Sequence, residues 1–574
     1  MTKDRYVAID IGGSFLKGVL IEINQGEGMS HIPQKVLNST VVKFPSKLGN
    51  RFTINDFKTA LTNLLDQLTQ NDTISAIGIS TAGLVDYAGK KIILVAPHLE
   101  QLKSESWLNF LRKKYSVPVA LINDSDATAI GCAALGYLKG NQTIGIMPIG
   151  TGVGFTVWRN GRKWTPFNSL PLLGSCYTPD GNYDQIISAS SLAKYDNEMN
   201  LVNIFSMKKY EELREQYIEK LSGVIQTANI IYHVNKILIG GGLADAITYS
   251  KFPLTKYLMD KLKQKNIEIE VLSEGNMLPL IGATLLSAGE KSIMNYKQTH
   301  NYSNKTTEQP FNKNISLNTL TSYELVKLFW ELEQEAGDKL YSSLDILTTV
   351  INKVTNSLKD GGRLIYVGAG TSGRLATVDT VEIACTFGFP REKVLTLVAG
   401  GLADAAYDIE THFEEDASCI PELLLLNLSP KDVVVGISVS GSAFYVQSAL
   451  GYAKKIGALS ILIQETDNYK PDFCDQIIPL YSGSEIIAGS TRMKAGTATK
   501  KIINFLSTSV MIKLGNVYGC YMVNLECINE KLINRACSIL HELFGIEKEK
   551  ALSKLKNNNY NLKNTITYLE EHEN

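Results

Sequence analysis

Short apolar segments that lead into glycine-rich turns and then into helices constrain the fold of this chain more than any other feature. The pattern occurs at residues 364–382 (LIYVGAGTSGRLATVDTVE), while residues 7–17 (VAIDIGGSFLK), in the other half of the chain, give another strand followed by a glycine turn and predict a β-hairpin with residues 18–24 (GVLIEIN). A strand, a tight turn and a helix in this order build the sheets of α/β proteins. The sequence therefore predicts an α/β fold class in two separate regions.

The overall composition limits the number of domains, the classes of binding partner and the cellular compartment that can be expected. The 574 residues exceed what one hydrophobic core accommodates, so several domains are expected. A net charge of −1 and a pI near 6.7 give no electrostatic case for nucleic acid or an anionic membrane. Eight cysteines without a CxxC pair indicate reduced thiols and predict a cytoplasmic protein. We expect neither a signal peptide nor a membrane span, which needs about 20 apolar residues.

A polar stretch divides the chain. Residues 291–312 are rich in Asn, Thr and Lys, have no apolar periodicity, and are predicted to be a linker. We expect one domain at residues 1–290 and a second at residues 313–528, where near-continuous apolar strands favour a buried parallel sheet. Short amphipathic segments predict a small helical subdomain at residues 529–574.

Three glycine turns in the first half are candidate phosphate cradles, because glycine lets backbone N–H groups approach an anion. Asp10, beside the first turn, is also placed to hold a magnesium ion. Taken singly, each turn is more simply a tight loop without a ligand; three in one βα chain favour a function. The candidate nucleotide-binding residues are Asp10, Gly12, Gly13, Ser14, Lys17, Gly150, Thr151, Gly152, Gly154, Gly240, Gly241 and Gly242.

These turns, with residues 78–86 (GISTAGLVD) and 122–136 (INDSDATAIGCAALG), occur in the order and spacing of the ROK sugar kinases. Residues 5–290 resemble that family, which implies a two-lobed actin-like (ribonuclease H-like) fold. It also implies the use of ATP and magnesium to phosphorylate the 6-hydroxyl of a hexose or amino sugar. The family's Asn-Asp motif makes Asp124 the candidate base for the hydroxyl proton. Without the resemblance, Asp124 is more simply a helix cap.

The first half departs from the ROK pattern in its sugar-contacting and zinc-binding parts. Residues 167–192 replace the family's zinc loop and Glu–His pair and contain one cysteine, Cys176, so no structural zinc is predicted. His98 stands where the family has asparagine, and Cys132 where it has glutamate. The departures imply either an unusual sugar substrate or a loss of kinase activity.

Three hydroxyl-rich turns in the second half are candidate sites for a sugar phosphate. The first opens a helix, whose unpaired N–H groups and dipole favour an anion. No P-loop motif accompanies the turns, which favours a sugar monophosphate over a nucleoside triphosphate. The candidate phosphate-binding residues are Thr371, Ser372, Gly373, Ser438, Ser440, Gly441, Ser442, Ser490, Thr491, Arg492 and Lys494.

The turns resemble those of the SIS (sugar isomerase) fold, a doubly wound parallel sheet. Residues 483–501 (GSEIIAGSTRMKAGTATKK) and the EEDAS segment make the second half similar to the N-acetylmuramic acid 6-phosphate etherases. The resemblance implies cleavage of a D-lactyl ether without a cofactor, with Glu382 as the acid and Glu415 as the base. Glu414 is a rival for the base, because the preceding segment is slightly long. On sequence alone, each glutamate is more simply a solvated surface charge.

Together the resemblances imply that one chain phosphorylates N-acetylmuramic acid or N-acetylglucosamine, and releases D-lactate from N-acetylmuramic acid 6-phosphate. The expected ligands are therefore an amino sugar, its 6-phosphate and ATP. Two alternatives stay open: the kinase half is inactive, or the second half senses sugar phosphates as in the glucokinase regulatory protein. SIS domains commonly pair, so a homodimer is expected.

Overall fold

The chain forms two compact units in the computed structural model. The first contains Met1–Lys297 and Asp416–Ser429, and the second contains Gln298–Glu415 and Pro430–Asn574. The first boundary lies inside the predicted linker, whereas the assignment of Asp416–Ser429 to the first unit was not expected. The described residues are 3–13, 15–24, 35–43, 52–70, 72–86, 91–95, 97–138, 142–159, 162–163, 173–196, 198, 200–262, 267–293, 306–312, 314–401, 418–465, 471–524, 527 and 529–572.

The first unit alternates strands and helices, as predicted. Its strands are β1 (Lys3–Ile11), β2 (Phe15–Asn24), β3 (Lys35–Lys43), β4 (Ala76–Thr81), β5 (Leu84–Asp86), β6 (Lys91–Leu94), β7 (Val119–Asn123), β8 (Thr143–Pro148), β9 (Thr156–Arg159), β10 (Arg162–Lys163), β11 (Tyr177–Thr178), β12 (Gly181–Asn182), β13 (Lys236–Gly240) and β14 (Glu268–Val271). Its helices before the linker are α1 (Ile54–Thr69), α2 (Ser106–Tyr115), α3 (Asp124–Ala134), α4 (Tyr183–Ile187), α5 (Ala189–Ala193), α6 (Leu201–Ser206), α7 (Glu211–Tyr232), α8 (Gly241–Ser250), α9 (Leu254–Lys261) and α10 (Leu278–Ile293).

Two five-stranded sheets form the lobes of the first unit. Strand order is β3-β2-β1-β4-β7 in one and β10-β9-β8-β13-β14 in the other. The antiparallel β1–β2 pair is the hairpin that the sequence predicts, while β1, β4 and β7 run parallel. In the second sheet, β8, β13 and β14 run parallel. Parallel strands end at the same edge, so each lobe gathers its strand-end turns together.

The second unit is built on one parallel sheet with the order β16-β15-β17-β18-β19. Its strands are β15 (Leu364–Gly368), β16 (Val394–Val398), β17 (Val433–Ile437), β18 (Leu459–Gln464), β19 (Gln476–Pro479), β20 (Val517–Tyr518) and β21 (Tyr521–Met522). The chain passes from β15 to β16 on one side and then to β17 on the other. This reversal creates a crevice at the carboxyl ends of β15 and β17, where α/β sheets bind ligands.

Helices cover this sheet and form the C-terminal subdomain. The remaining helices of the chain are α11 (Ser322–Lys339), α12 (Leu344–Lys359), α13 (Gly370–Phe387), α14 (Ile420–Leu425), α15 (Phe444–Ile456), α16 (Lys494–Lys513), α17 (Glu530–Phe544), α18 (Lys548–Asn557) and α19 (Leu562–His572). The last three share an apolar cluster that includes Leu540, Leu555 and Leu569. The α/β fold class is thereby confirmed, with α14 alone assigned to the first unit among these helices. No helix among the described residues has the length and apolarity that crossing a bilayer requires.

Glycines set the packing of α10 in the first lobe. A Cβ on Gly282 of α10 would lie 1.9 Å from the carbonyl oxygen of Ala127 in α3, and one on Gly78 of β4 would lie 2.0 Å from that of Ala283. Both distances are far below contact distance and both neighbours are backbone. The backbone of α10 therefore lies in direct contact with the backbones of α3 and β4 at these glycines.

We predict that Gly282→Ala lowers the free energy of unfolding by about 1–3 kcal/mol, because helix and neighbour must separate. Gly223→Ala in α7 is the matched control, since nothing lies within 4 Å of its added Cβ. That change should be neutral, or stabilising by up to about 1 kcal/mol through helix propensity. Thermal unfolding of both variants checks the prediction, and equal midpoints would contradict it.

Candidate functional site

Two carboxylates lie together at the edge of the first sheet. Asp10 on β1 pairs with Ser80 on β4, whose hydroxyl donates to Asp10 Oδ1 at 2.8 Å. Asp124 follows β7, the next parallel strand, and begins α3. Loss of hydration on burial, followed by the negative charge of Asp10, raises the pKa of Asp124 to about 7. A carboxyl group with such a pKa accepts a proton near neutral pH, as a general base must.

The residue before Asp124 takes the capping role. Asn123 Oδ1 accepts hydrogen bonds from the backbone N–H groups of Ser125 at 3.0 Å and Asp126 at 3.3 Å, so Asn123 is the N-cap of α3. Asp124 Oδ1 also accepts the N–H of Ser125, at 2.7 Å. Asp124 is thus not needed as the cap, and its role as a base stays a prediction.

A lysine lies beside the two carboxylates. Lys17 is the cross-strand partner of Asp10, and its charge partly offsets the burial that raises the pKa of Asp10. Its Nζ donates to Asn276 Oδ1 at 2.6 Å, and the Asn276 amide donates in turn to Asp245 of α8. A phosphate near Lys17 would therefore meet a cation that other residues hold in place.

Magnesium fits the donor set formed by Asp10 and Asp124. Magnesium prefers oxygen ligands and is usually held by one or two protein carboxylates together with substrate phosphates. The charge of Asp10 helps to raise the pKa of Asp124, and a divalent cation beside the two carboxylates would relieve this repulsion. Among the described residues, no group of three or more His, Cys, Asp or Glu side chains is arranged to hold a metal.

The second and third glycine turns of the first unit are joined to each other. Ile149 donates its N–H to the carbonyl of Gly240 at 3.0 Å, and its own carbonyl accepts the N–H of Leu243, also at 3.0 Å. Gly241 has φ +77°, and a Cβ there would lie 2.6 Å from the Ile149 carbonyl oxygen. Space is open at Gly150, where an added Cβ would meet nothing within 4 Å. These turns form one continuous backbone surface at the sheet edge.

The remaining nucleotide-binding predictions fall on or near these turns. Thr151 is exposed, and its carbonyl accepts the hydroxyl of Ser190 at 2.8 Å. Gly12 donates its N–H to Phe15, which closes the first turn at 3.1 Å. Ser14 lies outside the described residues. The turn residues not otherwise placed are Gly13, Gly152, Gly154 and Gly242, all only partly buried.

The sequence analysis missed two acidic residues near this site. Asp184 of α4 accepts the backbone N–H of Val153 at 2.6 Å, and burial raises the pKa of this carboxyl group. Asp126 pairs with Lys163 Nζ at 2.7 Å, two residues after Asp124. No local pattern marks Asp184, because its partner lies on a distant turn. The second aspartate of the DSD sequence is the signal that could have marked Asp126.

In the second unit, the first two hydroxyl turns follow the neighbouring strands β15 and β17. Thr371 and Ser372 occupy the first turn of α13, whose N-cap makes no side-chain hydrogen bond to the helix among the described residues. Gly373 is buried beneath them, where a Cβ would lie 2.6 Å from Val398. The backbone N–H groups at the N-terminus of this 18-residue helix therefore receive no hydrogen bond acceptor from the N-cap side chain, and they are suited to bind an anion.

The turn after β17 is held by buried side chains. Gly441 donates its N–H to the carbonyl of Ser438 at 2.9 Å, and Gln447 donates to the carbonyl of Gly441 at 2.8 Å. Gly441 has φ +68°, which a residue with a Cβ adopts poorly. The hydroxyls of Ser440 and Ser442 hydrogen-bond to each other and are only partly buried. This turn presents hydroxyl groups at the crevice between β15 and β17.

The third turn differs, because a carboxylate already occupies its helix N-terminus. Glu485 accepts the N–H groups of Lys494 at 3.1 Å and Ala495 at 2.9 Å at the start of α16. Burial lowers the pKa of Lys494 and raises that of Glu485. The other candidates on this turn are two partly buried hydroxyl residues and an exposed arginine: Ser490, Thr491 and Arg492. The N–H groups of Lys494 and Ala495 are therefore not available to a phosphate.

Glu382 is exposed on α13, on the fourth helical turn. Eleven residues separate it from Thr371, a rise of about 17 Å along the helix. This length exceeds the distance from phosphorus to C2 in an extended hexose 6-phosphate. Glu382 is therefore not adjacent to a phosphoryl group bound at the start of α13, and its role as the acid stays a prediction. Glu415 and its rival Glu414 lie outside the described residues.

A buried carboxylate fixes α13 one turn before Glu382. Asp379 accepts hydrogen bonds from Ser507 at 3.0 Å and Tyr366 at 3.3 Å, and lies 3.5 Å from Lys500. Burial raises the pKa of Asp379, and Lys500 opposes this effect. The network joins β15, α13 and α16, and so sets the rotation of the helix that carries Glu382.

Comparisons with known proteins support both resemblances. Residues 6–290 match the sequence model of the ROK family, and residues 346–454 match that of the glucokinase regulatory protein N-terminal SIS domain. An N-acetylmuramic acid 6-phosphate etherase from Prochlorococcus marinus (strain NATL1A) is 41% identical over 261 residues, 45% of this chain and 83% of the relative. The etherase of that name from Geobacillus thermodenitrificans (strain NG80-2) is 39% identical over 246 residues, 43% and 83% respectively.

Solved structures similar to the chain include a ROK family glucokinase from Streptomyces griseus in complex with glucose and AMPPNP. It is 16% identical, and the match covers 50% of this chain and 99% of the glucokinase, with a TM-score of 0.39.

We predict that Asp124→Asn raises the midpoint of thermal unfolding, and does so more at pH 8 than at pH 5. The folded-state pKa of about 7 lies above the ordinary value of 3.8, so the folded chain binds this proton more tightly than the unfolded chain. Ionisation therefore costs stability increasingly as the pH rises between these values, and asparagine avoids that cost.

Thermal unfolding without ligands at the two pH values checks the prediction. Asp260→Asn, an exposed position on α9, is the control for charge removal. A difference between Asp124→Asn and the wild type that is the same at both pH values would contradict the raised pKa.

Proposed function

Through its second half this chain belongs to the N-acetylmuramic acid 6-phosphate etherase family, and we propose that it is a bifunctional amino-sugar salvage enzyme. A ROK-type domain in the first half would make a sugar 6-phosphate, and the etherase half would consume it. One observation carries the proposal. The same chain contains a pair of carboxylates suited to phosphoryl transfer and a sequence similar to the etherases.

In the kinase half, the proposed substrates are ATP and N-acetylmuramic acid or N-acetylglucosamine. Asp124 takes the proton of the sugar 6-hydroxyl, and the oxygen attacks the γ-phosphorus of ATP as the bond to ADP breaks. The N–H groups of Gly150 and Gly241 already donate to Gly152 and Gly275, so the nucleotide phosphates are proposed to bind the joined turns at Thr151 and at Gly242 in the first turn of α8. Magnesium, which Asp10 would hold, supplies charge neutralisation for the phosphates when bound.

In the etherase half, the phosphoryl group binds at the crevice between β15 and β17. The open-chain sugar has an aldehyde at C1, which acidifies the C2 proton that Glu415 removes. The C3–O bond then breaks, and Glu382 protonates the departing lactate oxygen. Water adds across the C2–C3 double bond to give N-acetylglucosamine 6-phosphate. These steps move only protons and one water molecule, so they need no cofactor.

The etherase site is proposed to be completed by a second copy of the chain. Glu382 lies about 17 Å along α13 from the phosphate turn of its own chain, a separation that favours a site shared between two copies. Apolar side chains are exposed on α13 and on α16, which packs against it: Val378 and Val381 are 50% and 56% exposed, and Phe505 and Ile512 are 47% and 52% exposed. Exposed apolar patches of this kind mark protein interfaces. A homodimer through α13 and α16 would bring Glu382 to a site of the partner.

The setting proposed is the cytoplasm, where ATP is available and the eight free thiols remain reduced. Among the described cysteines none is paired in a disulfide. A second candidate function, a sensor of sugar phosphates, has the match to the glucokinase regulatory protein SIS domain in its favour. A sensor would bind the sugar phosphate without releasing lactate.

We predict that Glu382→Gln reduces D-lactate release from N-acetylmuramic acid 6-phosphate by roughly 100- to 10,000-fold, because the leaving oxygen loses its proton donor. ADP formation with ATP, magnesium and N-acetylmuramic acid should be unaffected by this change. Asp124→Asn should give the opposite result, with ADP formation lost and lactate release from the 6-phosphate retained. Enzymatic assays of ADP and D-lactate check both variants.

Glu549→Gln, an exposed glutamate of α18, is the matched control and should change neither product. A wild-type chain that binds the 6-phosphate but releases no lactate would favour the sensor. If ADP forms but no lactate is released from N-acetylmuramic acid or from its 6-phosphate, only the kinase activity of the proposal is supported.

We predict complementation between two inactive variants if Glu382 serves a partner's site. Glu382→Gln lacks the proton donor, and Gly441→Val disrupts a turn that needs positive φ. Mixed dimers of the two contain one site with both features intact, so an equimolar mixture should regain about a quarter of wild-type lactate release. No regain after subunit exchange, verified by mass spectrometry of the mixed dimers, would place Glu382 in its own chain's site.

A further inference from the structure

Three hydrogen-bonded side chains connect the two lobes of the first unit. Lys17 lies on β2 of the first sheet, and its Nζ donates to Asn276 Oδ1 at 2.6 Å. The amide of Asn276 donates in turn to Asp245 on α8, the helix that follows β13 of the second sheet. All three side chains are only partly buried. We call this connection the Lys17–Asn276–Asp245 network.

The charges at its two ends fix the orientation of the Asn276 amide. A lysine ammonium only donates hydrogen bonds and an ionised carboxylate only accepts them, whereas an amide does both. Burial raises the pKa of Asp245, and hydrogen bonds from Asn276 and the charge of Lys17 oppose this rise. A reversed amide would bring donor to donor at Lys17 and acceptor to acceptor at Asp245. The network therefore holds the ammonium in one place.

This network lies against the third glycine turn. Gly241 donates its N–H to the carbonyl of Gly275 at 3.2 Å, and a Cβ on Gly275 would lie 2.5 Å from the carbonyl oxygen of Gly241. A Cβ on Gly242 would lie 4.0 Å from Asn276 Oδ1, the same oxygen that accepts from Lys17. The ammonium is thus held close to Gly242, where nucleotide phosphates are proposed to bind.

Lys17 also lies beside the carboxylates of the proposed kinase site. It is the cross-strand partner of Asp10, and its charge opposes the rise in the pKa of Asp10 that burial causes. The charge of Asp10 acts in turn, after burial, to raise the pKa of Asp124, the proposed base. During transfer the phosphoryl group lies between the attacking hydroxyl and the remaining nucleotide. Lys17 is therefore placed for the terminal phosphate.

We propose that Asn276 and Asp245 are positioning residues that hold the Lys17 ammonium against the terminal phosphate of a nucleoside triphosphate. The inference rests on the proposed function for the identity of this ligand. A lysine ammonium is a point charge on a flexible four-carbon stem, so its position has to be fixed by other groups. Asn276 and Asp245 act through Lys17 and need not touch the nucleotide.

Calorimetric titration of the full chain with AMPPNP and with ADP, each in magnesium, tests the inference without requiring catalysis. We expect Asn276→Ala to weaken AMPPNP binding by about tenfold, as the loss of a hydrogen bond to a charged group does. ADP lacks the terminal phosphate, so its affinity should change by less than about twofold. Equal losses for both nucleotides would indicate a role in the fold alone and overturn the inference.

Asn109→Ala is the matched control. Asn109 is an exposed asparagine of α2 that also accepts a hydrogen bond from a cation, Arg112, at 3.2 Å. Its replacement should change neither affinity, because it lies outside the network. A loss of AMPPNP affinity in Asn109→Ala equal to that in Asn276→Ala would contradict the inference.

A double-mutant cycle determines whether Asn276 acts through Lys17. Lys17→Met keeps the apolar stem and removes the charge, so Asn276→Ala should have no further effect on AMPPNP affinity in that background. Additive losses would overturn the inference. If Asn276→Ala does not fold, Asp245→Asn takes its place in both experiments, because it removes the charge and keeps the shape, and the same outcomes decide.

The outcomes separate this inference from the proposed function. The expected affinities without ADP formation from either amino sugar would contradict the kinase activity and leave the inference standing. ADP formation together with additive losses in the cycle would support the kinase and overturn the inference. A wild-type chain that binds neither nucleotide would contradict both.

Discussion

Parallel pairing of strands is the constraint on which both proposed sites depend. It brings Asp10, Ser80 and Asp124 to one edge of the first sheet, although they are far apart in the chain. The same geometry places the turns after β15 and β17 side by side in the second unit. Each site is a property of strand register, so a shift of one residue would turn these side chains to the opposite face.

The kinase site shows a conflict between stability and chemistry. Burial and, after it, the charges of Asp10 and Asp126 raise the pKa of Asp124, which makes it a better proton acceptor and a less stable folded anion. Lys17 and Ser80 offset part of this cost at Asp10. An arrangement that disfavours its own charged state in the absence of ligand is typical of a site built to receive a cation and phosphates.

Local sequence patterns predicted those parts of the molecule that local chemistry decides. The β1–β2 hairpin, the glycine turns and the helix that opens at Gly370 follow from apolar runs and glycine positions. Asp184 and Glu485 could not be predicted, because their backbone partners come from distant turns or from a cap formed nine residues later. The place of α14 was equally hidden, since an apolar segment does not reveal which core it enters.

The rigidity of α13 decides how the etherase half can work. An α-helix rises by a fixed amount per residue, so the separation between the Thr371 turn and Glu382 cannot be shortened by side-chain motion. The network around Asp379 holds the helix against β15 and α16, which also excludes local unwinding as a low-cost solution. The proposed dimer would place the proton donor of one copy beside the phosphate turn of the other, while the kinase carboxylates meet within one copy. Association of chains would then control the second reaction and not the first.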